Sequence, residues 1–204
     1  MPHPTLSTDA WILGRRPATD RFQPLTVFAA DRGRLSLFHR LSRKADVPHL
    51  DLFDEVSLSA ESSNQGQSWF IRDVRLLRRF AEIGRDYDRL RHASAFATLV
   101  ARNDVAAESR APVYRLLGDA FAAFASGAPP AIVRLKATYR LARDEGYPVA
   151  QHWFPTLPSE LRGAADRLLH TPLAAVDPSE TERAERLLAR LQEYLQGHTD
   201  LSVD

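Results

Sequence analysis

The sequence predicts an α+β protein, with a small closed β-barrel over about residues 1–80 followed by an all-helical domain over about 82–204. Two observations carry this. Before residue 80 the apolar residues come in short runs separated by turn residues, and after about residue 82 they recur at helical spacing. A third supports it: no internal repeat or low-complexity linker interrupts either part.

Ala10-Trp11-Ile12-Leu13 is a first strand, closed by Gly14-Arg15-Arg16-Pro17. Leu25-Thr26-Val27-Phe28 is a second, and Asp31-Arg32-Gly33 supplies the residues of a hairpin loop before Leu35-Ser36-Leu37-Phe38 runs back. Pro24 cannot donate to a sheet ladder, so the second strand is expected to begin after it or to lie at an edge. Val56 to Glu61 alternates apolar and polar, as a strand with one buried face does, and Ser62 to Gly66 turns the chain into Trp69 to Val74. Five short strands without covering helices are best satisfied by closure, which removes the sheet edges.

Tyr87, Leu90, Ala93, Ala97 and Val100 mark a first helical stripe, and Val113, Leu116, Leu117, Ala120, Phe121 and Phe124 a second, with Gly127 past its end. Pro129-Pro130 opens a third around Ile132, Leu135 and Tyr139, stopped at Gly146-Tyr147-Pro148. Ser159 to His170 is a shorter helix. In the last, Asp177 is a cap, Glu180 completes a capping box, and Ala184, Leu187, Leu188, Leu191 and Leu195 are buried until Gly197. Asp86 and Asp88 suit the positive N-terminal end of the first helix.

Composition narrows the function classes. The chain has no Cys, so disulfides, thiolate zinc sites and cysteine nucleophiles are excluded. No phosphate-cradling loop, Gly-x-Ser-x-Gly elbow or His-Glu-x-x-His occurs, and the seven His residues never fall at ligand spacing, so neither catalysis nor a metal or other cofactor is expected. No leader or spanning run of about 18 apolar residues is visible, which points away from the membrane and towards the cytoplasm. The net charge of +1 hides an asymmetry: residues 1–80 hold 12 Arg/Lys against 9 Asp/Glu, and residues 81–204 hold 15 against 17.

The excess clusters around the strands. Arg15 and Arg16 end the first strand, Arg32 and Arg34 flank the hairpin turn, and Arg40, Arg43 and Lys44 crowd the exit of the third. Small barrels bind single strands by laying phosphates along such cations and stacking bases on aromatics. Trp11, Phe28, Phe38, Trp69 and Phe70 are available for stacking, although in a small barrel most of them are expected in the core; Arg183, Arg186 and Arg190 form a solvated face.

The order of these pieces resembles the RecO family. Ala10-Trp11-Ile12-Leu13, then Leu25-Thr26-Val27-Phe28 and Gly33-Arg34-Leu35-Ser36, look like its opening strands and hairpin, and Arg40 to Lys44 stands where it carries a basic loop. Leu52 to Leu58 resembles its fourth strand, Asp86 to Val100 its Leu-x-Arg-Leu-x-x-Ala-Ser-Tyr helix, Ile132 to Tyr147 its segment ending in Gly-Tyr-x-Pro, and Leu191 to Leu195 its final helix.

The resemblance implies an OB-fold that binds single- and double-stranded DNA and anneals strands. It also implies partnership with RecR, and a helical domain that takes the acidic tail of single-stranded-DNA-binding protein so that RecA is loaded at gaps. The location implied is cytoplasmic and nucleoid-associated, in DNA repair and recombination. Arg15, Arg16, Arg34, Arg40, Arg43 and Lys44 are the expected phosphate contacts, and Arg134, Lys136, Arg140 and Arg143 the expected contacts to the tail. Val149 to Pro158 stands in place of the family's zinc knuckle and has no Cys, so a zinc-less member is implied. The family's Asp-Arg before the second strand reads Phe22-Gln23-Pro24, and Asp46 follows the basic loop closely. These departures keep a rival reading open, that of a protein-binding adaptor of the same fold without DNA binding.

Overall fold

The alternation of the first 80 residues resolves into five strands: β1 Thr5–Arg15, β2 Phe22–Ala29, β3 Gly33–Arg40, β4 Glu55–Ser63 and β5 Ser68–Arg78. The structure, a computed structural model, describes residues 4–19, 21–41, 49–63 and 68–203. β1 pairs antiparallel with β2 and with β4, β2 with β3 and β4 with β5, while β3 and β5 run parallel at Leu37–Trp69 and Phe38–Phe70. Every strand therefore has a neighbour on both sides, in the circuit β1-β2-β3-β5-β4. Residues two apart share a face, and Ala10/Ile12, Leu25/Val27/Ala29 and Val56/Leu58/Ala60 accordingly meet in one buried cluster with Leu6, Leu37 and Ile71.

Pro24 is a departure from expectation. β2 begins at Phe22, and Pro24 lies inside it, paired with Phe38 of β3. Its carbonyl accepts from the Arg16 N–H (3.1 Å), so its missing donor faces the point where β1 has ended. The Arg16 carbonyl left without that donor takes the Gln23 side-chain amide instead, at 3.1 Å.

The chain forms two compact units, Met1–Phe80 with Asp104–Leu117, and Ala81–Asn103 with Gly118–Asp204. In the first, Asp104–Leu117 covers the outward side of β1, where Trp11 and its register partner Phe28 are fully buried. The Trp11 indole donates to the Tyr114 carbonyl (3.0 Å), its ring packs on Tyr114 and Phe80, and the Arg78 guanidinium lies 4.9 Å from its centroid. Gly33 turns the hairpin with φ +70°, and a β-carbon there would press on Arg110 at 3.2 Å.

Glu55, nearly buried, joins this cover by accepting from Arg78 and from the Tyr114 hydroxyl. Burial raises its carboxyl, but the bonds from Arg78 and Tyr114 outweigh that and hold it below the usual range. The folded state then binds fewer protons than the unfolded one near pH 4, so this stabilisation is present at neutral pH and is lost as acid protonates Glu55. Stability is expected to fall from about pH 5 downward, with a shallower fall in Glu55→Gln. Urea denaturation across pH 3–6 (roughly the span of carboxylate titration) checks it, and parallel curves for the two proteins would refute the assignment.

The second unit holds α1 Tyr87–Arg102, α3 Pro130–Asp144, α4 Phe154–Thr156, α5 Ser159–His170 and α6 Thr181–His198, while α2 Arg110–Ala125 contributes its residues from Gly118. Asp86 caps α1 through the Arg89 N–H (2.9 Å), and Gly127 and Gly146 end α2 and α3 with φ of +89°. Ile132, Leu135, Trp153, Leu161, Leu168, Leu187, Leu188 and Leu191 share its core. Tyr87 does not belong to the buried stripe of α1. As the first helical residue it is 79% exposed, and His92 and Phe96 take the inward positions.

The expected capping box at the last helix does not form. Asp177 accepts the Ser179 N–H and opens a 3-10 turn, Pro178–Glu180, and α6 then runs past Gly197 to His198. The Glu180 carboxylate instead receives Arg167 (3.3 Å) and Arg183 (3.0 Å). Val149 to Pro158, loosely patterned in sequence, holds a π-turn, Val149–Trp153, followed by α4.

Candidate nucleic-acid interface

On the first unit, cross-strand register builds one row across four strands. The Arg16 N–H bonds to Pro24, Pro24 pairs with Phe38, Phe38 with Phe70, and Phe70 with Glu61. One step along, Phe22 pairs with Arg40. Phe38 and Phe70 stack at 5.3 Å between centroids with a 24° tilt, and Phe22 meets Phe70 edge-on at 5.4 Å. All three rings are half-buried, and none belongs to the inner cluster. A β-bulge in β5 between Ile71 and Asp73 leaves Arg72 exposed, paired with Glu61 at the far end of the row.

The expected phosphate contacts divide into two sets. Arg15 is bound to Asp51 (2.6 Å) and to the Gln23 side chain (3.2 Å), and Arg34 to Asp104 (3.1 Å). Arg16 and Arg40 are exposed, as is Arg21, and these three have no ion-pair partner among the described residues. Arg43 and Lys44 lie outside the described residues. Of the aromatics, Phe38 and Phe70 line the row, Trp69 packs against the inner cluster, and Trp11 and Phe28 are buried. Phe22 and Arg21 went unnoticed in the sequence. The signal was present in the alternation of Phe22 with Pro24, once β2 is allowed to start before the proline.

On the second unit, the four expected tail contacts of α3 do not act alike. The Lys136 ammonium donates to the carbonyls of Leu168 (2.6 Å), Leu169 (3.1 Å) and Thr171 (2.8 Å), which closes the C-terminal end of α5. All three of its protons are used, so it is not available to a partner. Its place beside Ile132 and Leu135 on the helix already put its stem against the core. Arg134 is largely withdrawn from solvent, and burial, then Arg91, depresses its pKa. Arg140 is exposed and lies 3.5 Å from both Asp119 and Asp144, and Arg143 pairs with Asp144 at 2.7 Å.

No protein-family model and no curated protein matches the chain. Among the described residues no three His, Cys, Asp or Glu side chains are grouped to hold a metal ion, and no helix is long and apolar enough to cross a membrane.

Proposed function

We infer that this chain is a non-catalytic, RecO-like DNA-binding protein of repair and recombination whose first unit is an OB-fold barrel. The observation that carries the reading is the half-exposed row of Phe22, Phe38 and Phe70 with Arg16, Arg21 and Arg40 beside it. OB-folds bind oligonucleotides on the face of strands 2 and 3 and on the loop between strands 1 and 2. Phe22, Pro24, Phe38 and Arg40 stand on those two strands, and Arg16 and Arg21 on that loop. A ring pair supplies a stacking surface indifferent to sequence, and guanidinium groups with no ion-pair partner among the described residues neutralise phosphates without first breaking such a pair. Annealing of strands, and work with RecR and with the tail of single-stranded-DNA-binding protein in the cytoplasm, follow as the roles the resemblance implies. With Lys136 engaged and Arg134 withdrawn from solvent, the tail contacts reduce to Arg140 and Arg143.

The pairing of Arg15 with Asp51 and of Arg34 with Asp104 favours the rival, an adaptor of this fold without DNA binding. A salt titration of single-strand binding separates the two. With about four phosphate contacts, log K is expected to fall against log salt with a slope near −3. Arg43→Glu with Lys44→Glu is expected to weaken binding more than about tenfold at low salt while melting barely moves. Wild type binding no better than this variant at about 50 mM salt would establish the adaptor reading instead.

A further inference from the structure

A cavity of about 600 Å³ in the second unit is used by none of the roles above. It lies between the π-turn segment and the last turns of α6. Its floor includes the Trp153 ring, which is 1% exposed.

The rest of the wall sets the ligand's character. Arg190, exposed on α6, has no ion-pair partner among the described residues, and His152 and His198 stand with it against one carboxylate, Glu193. The His198 ring lies flat on Tyr194, 4.9 Å between centroids and 13° apart, while its Nδ1 is held by the Tyr194 carbonyl. That pair offers a face on which a further ring can stack, beside the apolar Leu157. A volume of this size suits a small molecule.

We propose that this cavity binds a small aromatic oxyanion, a flat ring bearing a phosphate or a carboxylate, with the ring on the His198–Tyr194 stack and the anion at Arg190. This goes beyond the DNA reading and does not depend on it, since every residue involved belongs to the second unit.

The test follows the indole N–H resonances of the three tryptophans of the full-length protein, with Trp153 assigned through Trp153→Phe. Phenyl phosphate and 3-phenylpropionate are titrated separately. At least one is expected to shift the Trp153 resonance saturably, with Kd on the order of 1 mM for so few heavy atoms, while Trp11 and Trp69 stay in place as a check on the fold. Response to only one probe identifies the anion as phosphate or as carboxylate. Arg190→Gln, a change on an exposed helix face, is expected to weaken binding about tenfold. A Trp153 resonance that moves with neither probe, or that moves equally in Arg190→Gln, overturns the proposal.

Discussion

Asp54→Ala is expected to lower the unfolding free energy by about 2–4 kcal/mol, a loss of roughly 6–12 °C in Tm. The Asp54 side chain is 1% exposed and receives Arg79 through both oxygens (2.9 and 2.6 Å) as well as the Asp51 N–H (2.8 Å). Its backbone carbonyl accepts from Ile12, and the neighbouring Phe53 N–H donates back to the Ile12 carbonyl, both at 2.9 Å. Phe53 itself sits at φ +67°, a conformation that a side chain of that size avoids unless its surroundings hold it there.

Truncating Asp54 therefore takes the acceptor from the part-buried Asp51 N–H, leaves Arg79 only the His49 carbonyl, and releases a strained turn together. Arg79 is 39% exposed and can regain water, so the expected loss lies below that of a fully buried pair. Urea denaturation with an unchanged m-value is the measurement. Asp54→Asn, which keeps one acceptor oxygen, is expected to fall between the two; a loss under about 1 kcal/mol for alanine would show that the network carries little of the fold.

The second large effect concerns binding. Phe38→Ala with Phe70→Ala is expected to weaken single-strand affinity by about 10- to 100-fold, since one stacked base is worth on the order of 1–3 kcal/mol and these two rings form one platform. The salt slope is expected to stay as in wild type, because no phosphate contact is removed. This dissociation of affinity from slope separates a stacking surface from general damage. Both rings are half-buried and outside the inner cluster, so the stability cost is smaller than for Trp11, whose ring is fully enclosed. Unchanged affinity in a variant whose circular dichroism matches wild type would remove the row from the site and leave only the cations.

Local chemistry was legible in the sequence. The alternation of Val56, Leu58 and Ala60 and the hairpin at Gly33 needed only neighbours in the chain, and so did the Asp86 cap and the stops at Gly127 and Gly146. Each rests on a backbone preference or a periodicity that a few adjacent residues express. The failures at Pro24 and at the box of Asp177 and Glu180 have the opposite origin. A contact across a loop or between helices, Gln23 folded back on Arg16 in one case and Arg167 of α5 on Glu180 in the other, satisfied a group that the local rule left open.

What only the tertiary structure decided is which cations are paired among the described residues and which rings share a face. Arg15 meets Asp51 36 residues away, Lys136 meets Leu168 32 away, and Arg34 meets Asp104 70 away, and a charge count cannot distinguish them from Arg16 and Arg40. The row of Phe22, Phe38 and Phe70 exists only because β3 lies between β2 and β5. The physical reason is the same throughout: the composition of a segment sets what it can bury, but the partner that neutralises, caps or stacks is chosen by strand order and helix packing between residues far apart in the chain.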